Sequence, residues 1–122
     1  MKRISGKPLY WILGPDGRTP EATDDIMLWG RGMEDKVKSG WRVGWDYDND
    51  KGVTVSTTFL GIDHGFGFGD GPPVLFETMI FGGPHNDYQE RYCSWAEAEL
   101  GHALACELAG LKRLLEAPAN DQ

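Results

Sequence analysis

The sequence has few cysteines, a shortage of positive charge and no long apolar run. Only two of its 122 residues are cysteine, Cys93 and Cys106, and they form no C-x-x-C pair. This count and spacing exclude a disulfide framework and a zinc site made of cysteines alone. We therefore expect both thiols to be reduced, as is usual in the cytoplasm.

Basic residues are outnumbered, with 12 Lys and Arg against 19 Asp and Glu, so the net charge is −7. Binding to a nucleic-acid backbone depends on clustered Lys and Arg that release counterions, and we expect no such binding here. A negative field speeds encounter with basic proteins. The charge therefore favours a partner protein with a basic surface, and the sequence indicates no cofactor.

The apolar run behind the basic N-terminus ends at Pro15. It is too short for a signal-peptide core or a membrane span, so no membrane association is expected. The length suits a single domain over residues 1–122, with residues 117–122 predicted to form a frayed tail.

Apolar periodicity predicts an α+β fold. A capping set at residues 23–25 precedes a helix that ends near Gly40, with Ile26, Trp29, Met33 and Val37 on one face. Strands are predicted over residues 9–13, 41–47, 53–60, 74–81 and 88–93, the second and third forming a hairpin. The expected architecture is a mostly antiparallel sheet of about four strands, with the short helix and a long C-terminal helix packed on it.

The C-terminal helix has the clearest signals. Ser94 and Glu97 form an S-x-x-E capping box, so the helix is predicted to begin at Trp95, and Pro118 sets its outer limit. Five leucines share one stripe, which we expect to pack on the sheet. They are Leu100, Leu104, Leu108, Leu111 and Leu115.

Several aromatic- and glycine-rich stretches form a recognisable set. They are residues 10–17 (YWILGPDG), 59–67 (FLGIDHGFG), 73–83 (PVLFETMIFGG) and 91–98 (RYCSWAEA), the last followed by Gly101-His102. Over nearly its whole length the chain resembles a group of small conserved proteins of tailed-phage and prophage genomes. The resemblance implies a phage or prophage origin and action in the cytoplasm of a bacterial host cell. It carries no established catalytic residues.

Two loops contain incomplete ligand motifs. Asp46, Asp48 and Asp50 alternate like the start of a calcium loop, but Lys51 and Thr57 stand where the EF-hand pattern needs Gly and Glu. The glycine-rich loop at residues 61–71 invites a phosphate-cradle interpretation, yet it lacks the G-K-[ST] ending of a P-loop. Solvated turn residues and a flexible connection are the simpler alternatives.

A third candidate is a set of titratable side chains. Glu99, His102 and Cys106 share a helix face and offer an incomplete zinc ligand set. His64, Glu77 and His102 are the weak catalytic candidates. The structural alternatives are that His102 faces the sheet or the surface, that Cys106 is a small apolar residue, and that Glu77 faces solvent or pairs with Arg42 or Arg91.

Acidic and aromatic residues in the middle of the chain suggest a recognition surface. The predicted binding residues are Trp41, Trp45, Asp46, Asp48, Asp50, Asp63 and Phe66. An equally good interpretation is that the acids give solubility while the aromatics fill the core.

The leading functional hypothesis is an acidic, non-enzymatic interaction protein that binds a host protein in counter-defence or host takeover. A sharper version is mimicry of nucleic acid. The alternative is a small metal-dependent enzyme, or a protein that sequesters a small ligand such as a nucleotide, using the 61–71 loop. The sequence leaves open whether the protein forms a homodimer.

Overall fold

The computed structural model describes residues 7–65 and 71–111 of the chain. The elements are β1 (Trp11–Leu13), β2 (Pro20–Ala22), α1 (Ile26–Glu34), β3 (Arg42–Asp48), β4 (Val53–Phe59), β5 (Phe76–Phe81), β6 (Gln89–Tyr92) and α2 (Trp95–Leu108). Strands β3 to β6 form an antiparallel sheet in that order, and α2 packs on it. The predicted α+β fold is confirmed. Within the described residues, neither helix is long and apolar enough to cross a membrane.

The four-stranded sheet has two chemically different faces. Alternation along β4 defines them: Val53, Val55, Thr57 and Phe59 are buried on the face that α2 covers, here called the inner face. The residues between them, Thr54, Ser56 and Thr58, lie on the opposite, outer face. The predicted hairpin is β3-β4, and strands β5 and β6 begin and end within the predicted ranges.

A second, two-stranded sheet pairs β1 with β2. The sequence predicts β1 but not β2, because a three-residue strand that begins with Pro20 has no apolar alternation. The turn between them is held by Asp16, whose Oδ1 accepts hydrogen bonds from the backbone N–H groups of Arg18 and Thr19, both at 2.8 Å.

Helix α1 is shorter than predicted. Asp25 caps it by accepting a hydrogen bond from the backbone N–H of Leu28, and the helix ends at Glu34 rather than near Gly40. Trp29 and Met33 pack against the core, as the periodicity predicts. Ile26 and Val37, the outer members of the same predicted face, are exposed.

Helix α2 begins as its capping box predicts. The Ser94 side chain accepts a hydrogen bond from the backbone N–H of Glu97 at 3.1 Å, and the Glu97 carboxylate accepts one from the backbone N–H of Cys93 at 3.0 Å. The helix ends at Leu108, because Gly110 takes a positive φ of 81° that stops helical propagation.

The leucine stripe of α2 faces solvent, contrary to the prediction. Leu100, Leu104 and Leu108 are 53%, 50% and 44% exposed. Of the other two leucines, Leu111 is buried and Leu115 lies outside the described residues, as do residues 117–122. The sheet-facing side of α2 consists of small residues and one histidine at helical spacing: Ala98, Gly101, His102, Ala105 and Cys106.

The inner face of the sheet explains this orientation, because large side chains already occupy it. Phe59 and Phe76 are completely buried. The ring of Tyr92 reaches α2 so closely that a Cβ added to Gly101 would overlap its hydroxyl. Leucines on this side would overpack the interface, whereas alanine and glycine fit it.

Two apolar clusters lie between α2 and the sheet, with a polar row between them. One cluster contains Val53, Val55, Ile80, Ala105, Cys106 and Leu111, and the other contains Trp41, Phe59, Leu75, Phe76 and Ala98. The buried polar residues between the clusters are Thr57, Thr78 and His102. These buried polar side chains are the first candidate for a functional site.

Candidate functional site

The polar row crosses three strands in register. Gly44 of β3 pairs with Thr57 of β4, and Thr57 pairs with Thr78 of β5. The hydroxyl oxygens of Thr57 and Thr78 are 2.5 Å apart, and Thr57 Oγ1 lies 2.7 Å from Nδ1 of His102. His102 is only 1% exposed, so the sequence alternative of a sheet-facing histidine is the correct one.

The other nitrogen of the His102 ring is bound to an acid on the edge strand. His102 Nε2 lies 2.7 Å from Oδ2 of Asp46, and the thiol of Cys106 points to the same oxygen at 3.8 Å. The side chain of Asp46 is 34% exposed, so the cluster is buried on the helix side and reaches solvent beside β3. The donor atoms of Asp46, His102 and Cys106 all lie within 4.8 Å of one another.

The acid beside His102 and Cys106 is Asp46 and not the predicted Glu99. Glu99 is exposed, and it is not among the three clustered residues. The i, i+4 spacing of His102 and Cys106 does bring their side chains together, as predicted. The acid comes from another element because Asp46 pairs with Val55 on the inner face, whereas the sequence placed it in a calcium or recognition loop.

A second titratable cluster lies at the outer face, where Glu77 pairs with Arg91. The Arg91 Nε donates to Glu77 Oε2 at 3.0 Å, and Gln89 donates to the same oxygen. This confirms the cross-strand pairing of Glu77 with Arg91 that the sequence offered as one alternative. Burial lowers the pKa of the nearby His64, the Arg91 cation adds to that effect, and the Glu77 carboxylate opposes it.

Lys36 belongs to the same outer-face cluster. Burial lowers the pKa of Lys36, and the Glu77 carboxylate acts in the opposite direction. Glu77 is therefore the acid that compensates three surrounding basic groups. It forms an ion pair with Arg91 and interacts electrostatically with Lys36 and His64.

The three weak catalytic candidates do not converge. Glu77 pairs with Thr58 and Arg91 on the outer face, and His64 interacts with Glu77. His102 contacts Thr57 on the inner face. The sheet separates the first two residues from the third, so a single acid–base site made of all three is excluded by this arrangement.

Two predicted binding residues, Trp41 and Asp63, are buried. Trp41 is 3% exposed and packs edge-to-face on Phe59, with its ring against Gly32 and Gly61. Asp63 is 4% exposed, and its Oδ1 accepts hydrogen bonds from the backbone N–H groups of Gly65 and Val74. Asp63 thus closes the base of the glycine-rich loop. Phe66, like residues 67–70, lies outside the described residues.

The remaining predicted binding residues lie at or near the surface. Trp45 is exposed on the outer face, and the Arg42 guanidinium stacks on its ring at 4.2 Å from the centroid. Asp50 is exposed in the β3-β4 turn, and Asp48 accepts a hydrogen bond from the backbone N–H of Lys51 there. Asp48 and Asp50 therefore lie in or beside the turn, as the simpler of the two alternatives has it, whereas Asp46 contacts His102.

The outward side of α2 is a surface that the sequence analysis did not identify as functional. Its leucines are accompanied by exposed acids, Glu97, Glu99 and Glu107, and α2 contains no Lys or Arg. The signal for this orientation was present as the complementary pattern of small residues at positions 98, 101, 102, 105 and 106. That pattern follows the i, i+3, i+4, i+7 and i+8 spacing of a buried helix face.

Comparison with protein-family models, with curated proteins and with solved structures found no match to this chain.

Proposed function

We propose that this chain is a protein-interaction module whose recognition surface is the outward side of α2. The observation that carries the proposal is the half-exposure of Leu100, Leu104 and Leu108 on a helix whose opposite side is fully buried. Leucines at i, i+4 and i+8 form a continuous apolar ridge. This is the anchor pattern by which an amphipathic helix enters a groove of its partner.

The apolar ridge supplies the affinity. Complete burial of an exposed leucine side chain contributes about 1.5–3 kcal/mol, so covering three half-exposed leucines gives a substantial gain. The helix is already folded and held at both ends, by the Ser94 cap and by the bond from Lys51 Nζ to the carbonyl of Gly110 at 3.0 Å. A preformed helix loses little conformational entropy on binding.

The charges beside the ridge indicate the kind of partner. Glu97, Glu99 and Glu107 are exposed on α2, and the helix contains no Lys or Arg to offset them. The complementary surface is an apolar groove bordered by Lys and Arg, and the attraction should weaken with salt. With the phage resemblance, the proposed partner is a host protein that carries such a groove.

This surface supports helix-in-groove recognition better than mimicry of nucleic acid. Two of the carboxylates available for mimicry, Asp46 and Asp63, are engaged inside the fold by His102 and by the loop backbone. The acids that remain on α2 are interleaved with leucines. An apolar ridge has no counterpart in a phosphate backbone.

The test compares capture of bacterial proteins by the wild type, by Leu104→Gln and by Phe81→Gln. Phe81 is a matched control, because it is 48% exposed but lies on the outer face of the sheet, away from α2. We expect one protein to be retained by the wild type and by Phe81→Gln and lost with Leu104→Gln. With that protein purified, Leu104→Gln should weaken the affinity at least about tenfold.

Salt dependence and self-association complete the test. The double variant Glu97→Gln, Glu107→Gln should bind less tightly at low salt and show a smaller loss of affinity as salt is added. A captured protein that binds Leu104→Gln as tightly as the wild type would contradict the proposal. A wild-type dimer in light scattering that Leu104→Gln dissociates would assign the ridge to a second copy of this chain instead.

A further inference from the structure

We infer that Asp46, His102 and Cys106 form a binding site for a transition-metal dication of the zinc type, behind α2 and separate from the proposed recognition surface. The site combines one carboxylate oxygen, one imidazole nitrogen and one thiol within 4.8 Å of one another. Mixed oxygen, nitrogen and sulfur donors suit Zn²⁺ and Co²⁺ rather than calcium or magnesium, which prefer oxygen alone.

The distances are close to those a metal requires. Tetrahedral coordination at about 2.0–2.3 Å places donor atoms roughly 3.3–3.7 Å apart. The observed separations are 2.7 Å between His102 Nε2 and Asp46 Oδ2 and 3.8 Å between Cys106 Sγ and the same oxygen. A metal that replaces the proton between His102 and Asp46 therefore needs a small outward movement of Asp46, the ligand on the exposed edge strand.

Charge balance favours a dication at this position. A metal-bound site holds a carboxylate, a thiolate and a neutral imidazole, so its two negative charges match a divalent cation and the buried complex is neutral. Binding releases the thiol proton of Cys106 to solvent, whereas His102 stays neutral because the proton displaced from its Nε2 is replaced by one on Nδ1. The exposed side of Asp46 gives the ion a path to the site, and water completes the coordination there.

The threonine pair provides an outer shell that suits both states of the histidine. In the metal-free state the Nε2–H of His102 donates to Asp46, and Nδ1 accepts from the Thr57 hydroxyl. In the metal-bound state Nδ1–H donates to Thr57 Oγ1, and the hydroxyl of Thr57 donates to Thr78 Oγ1. Hydroxyl groups can reverse in this way, whereas a carbonyl or an amide in their place would fix one tautomer.

Gly44 completes the site by leaving room for the imidazole. A Cβ at this position would lie 2.7 Å from Cδ2 and Nε2 of His102, so any larger residue would displace the coordinating nitrogen. The strand beneath the ring, the hydroxyl at Nδ1 and the acid at Nε2 together hold the ring in one orientation.

The experiment titrates the reduced, full-length protein with Co²⁺ and follows the thiolate-to-cobalt charge-transfer band and the d–d bands. The variants are Cys106→Ser, Asp46→Asn and Thr57→Val, and the matched controls are Cys93→Ser and Glu99→Gln. We expect one cobalt per chain and a charge-transfer band in the wild type and both controls. Cys106→Ser should lose the band, and Thr57→Val should bind about 10- to 100-fold more weakly, as outer-shell losses do. Asp46→Asn should lose at least as much.

Zn²⁺ gives a second readout that uses stability. It should raise the urea midpoint of the wild type and of Cys93→Ser and leave that of Cys106→Ser unchanged. If Cys106→Ser fails to fold, X-ray absorption of the cobalt-loaded wild type decides the matter by showing one sulfur and one imidazole nitrogen on the metal. Absence of a charge-transfer band in the wild type, or a band unchanged in Cys106→Ser, would overturn the inference.

Discussion

The Cα of Gly44 lies directly beneath the imidazole of His102, with no space for a side chain between strand and helix. A Cβ at position 44 would approach the ring atoms to 2.7–2.8 Å. This contact joins the edge strand β3 to α2 through a residue that has no side chain. It also sets how near the helix can lie to the sheet.

Gly44→Ala should therefore destabilise the fold. Forcing a methyl group against a fully buried ring costs about 1–3 kcal/mol, although alanine is otherwise better tolerated than glycine. Urea unfolding monitored by tryptophan fluorescence measures the change. Gly30→Ala is the matched control, because nothing lies within 4 Å of the added Cβ in α1, and it should stabilise by about 0.5–1 kcal/mol. Equal effects at both positions would contradict the packing described here.

The orientation of α2 predicts opposite outcomes for two leucines. Leu104→Gln should change the free energy of unfolding by no more than about 0.5 kcal/mol, because the side chain is half exposed. Leu75→Ala should cost about 2–5 kcal/mol, because Leu75 is completely buried between the sheet and its neighbours. Chemical denaturation of the two variants compares them directly. A large loss with Leu104→Gln would place the leucine stripe against the sheet after all.

The outer-face cluster predicts how His64 titrates. Burial lowers the pKa of His64 from 6.5, with the Arg91 cation acting in the same direction and Glu77 against it. Glu77→Gln should lower the pKa of His64 further, and Lys36→Met should raise it. NMR titration of the imidazole proton shifts measures both. A pKa of His64 that does not respond to either substitution would show that the cluster is not electrostatically coupled.

The same pKa shift gives a pH dependence of stability. The unfolded chain takes up a proton at His64 near pH 6.5, whereas the folded chain resists it until a lower pH. This residue should therefore reduce stability as the pH falls below 6.5, through the lower folded pKa. Replacing His64 with Gln should remove that part of the decline, measured as the difference in urea midpoint between neutral and mildly acidic pH.

Asp16 should also lose its contribution to stability as the pH falls, because its pKa, like that of His64, is lower in the folded chain than in the unfolded one. The Thr19 hydroxyl and the backbone N–H groups of Thr19 and Arg18 lower its pKa from 3.8 to about 2. Its contribution is complete above the unfolded pKa and is lost as the pH falls toward 2. Thr19→Val removes the hydroxyl and keeps the backbone bonds, so it should raise the pKa of Asp16. Carboxyl carbon shifts in an NMR titration test this directly, and an unchanged midpoint would contradict it.

The sequence predicts the hairpin and the start of α2 well because their signals are local. Alternation from Trp41 to Tyr47 and the Ser94–Glu97 capping box each involve residues close in the chain, and the structure confirms β3 and the first residue of α2. The orientation of α2, by contrast, is determined by residues that are distant in the chain. Both sides of the helix are apolar, and the choice between them depends on how much volume Phe59, Phe76 and Tyr92 leave above the sheet.

The cluster of Asp46, His102 and Cys106 could not be predicted from the sequence for a similar reason. The i, i+4 spacing of His102 and Cys106 pairs them, but Asp46 joins them only because the register of β3 turns it toward α2. Spacing likewise put Asp48 and Asp50 with Asp46, but Asp48 accepts a hydrogen bond from the backbone N–H of Lys51 and Asp50 is exposed in the β3-β4 turn. Pairing across strands, not distance along the chain, decides which acid meets the histidine.

The close packing between α2 and the sheet restricts which substitutions each side of the helix accepts. The inner side of the helix tolerates almost no enlargement, since Gly101 and Gly44 already contact the rings of Tyr92 and His102. The outward side touches little of the fold, so its residues can be exchanged without repacking the core. Affinity for a new partner could then be selected on α2 by randomising positions 100, 104, 107 and 108 alone, with the remainder of the domain serving as an unchanged scaffold.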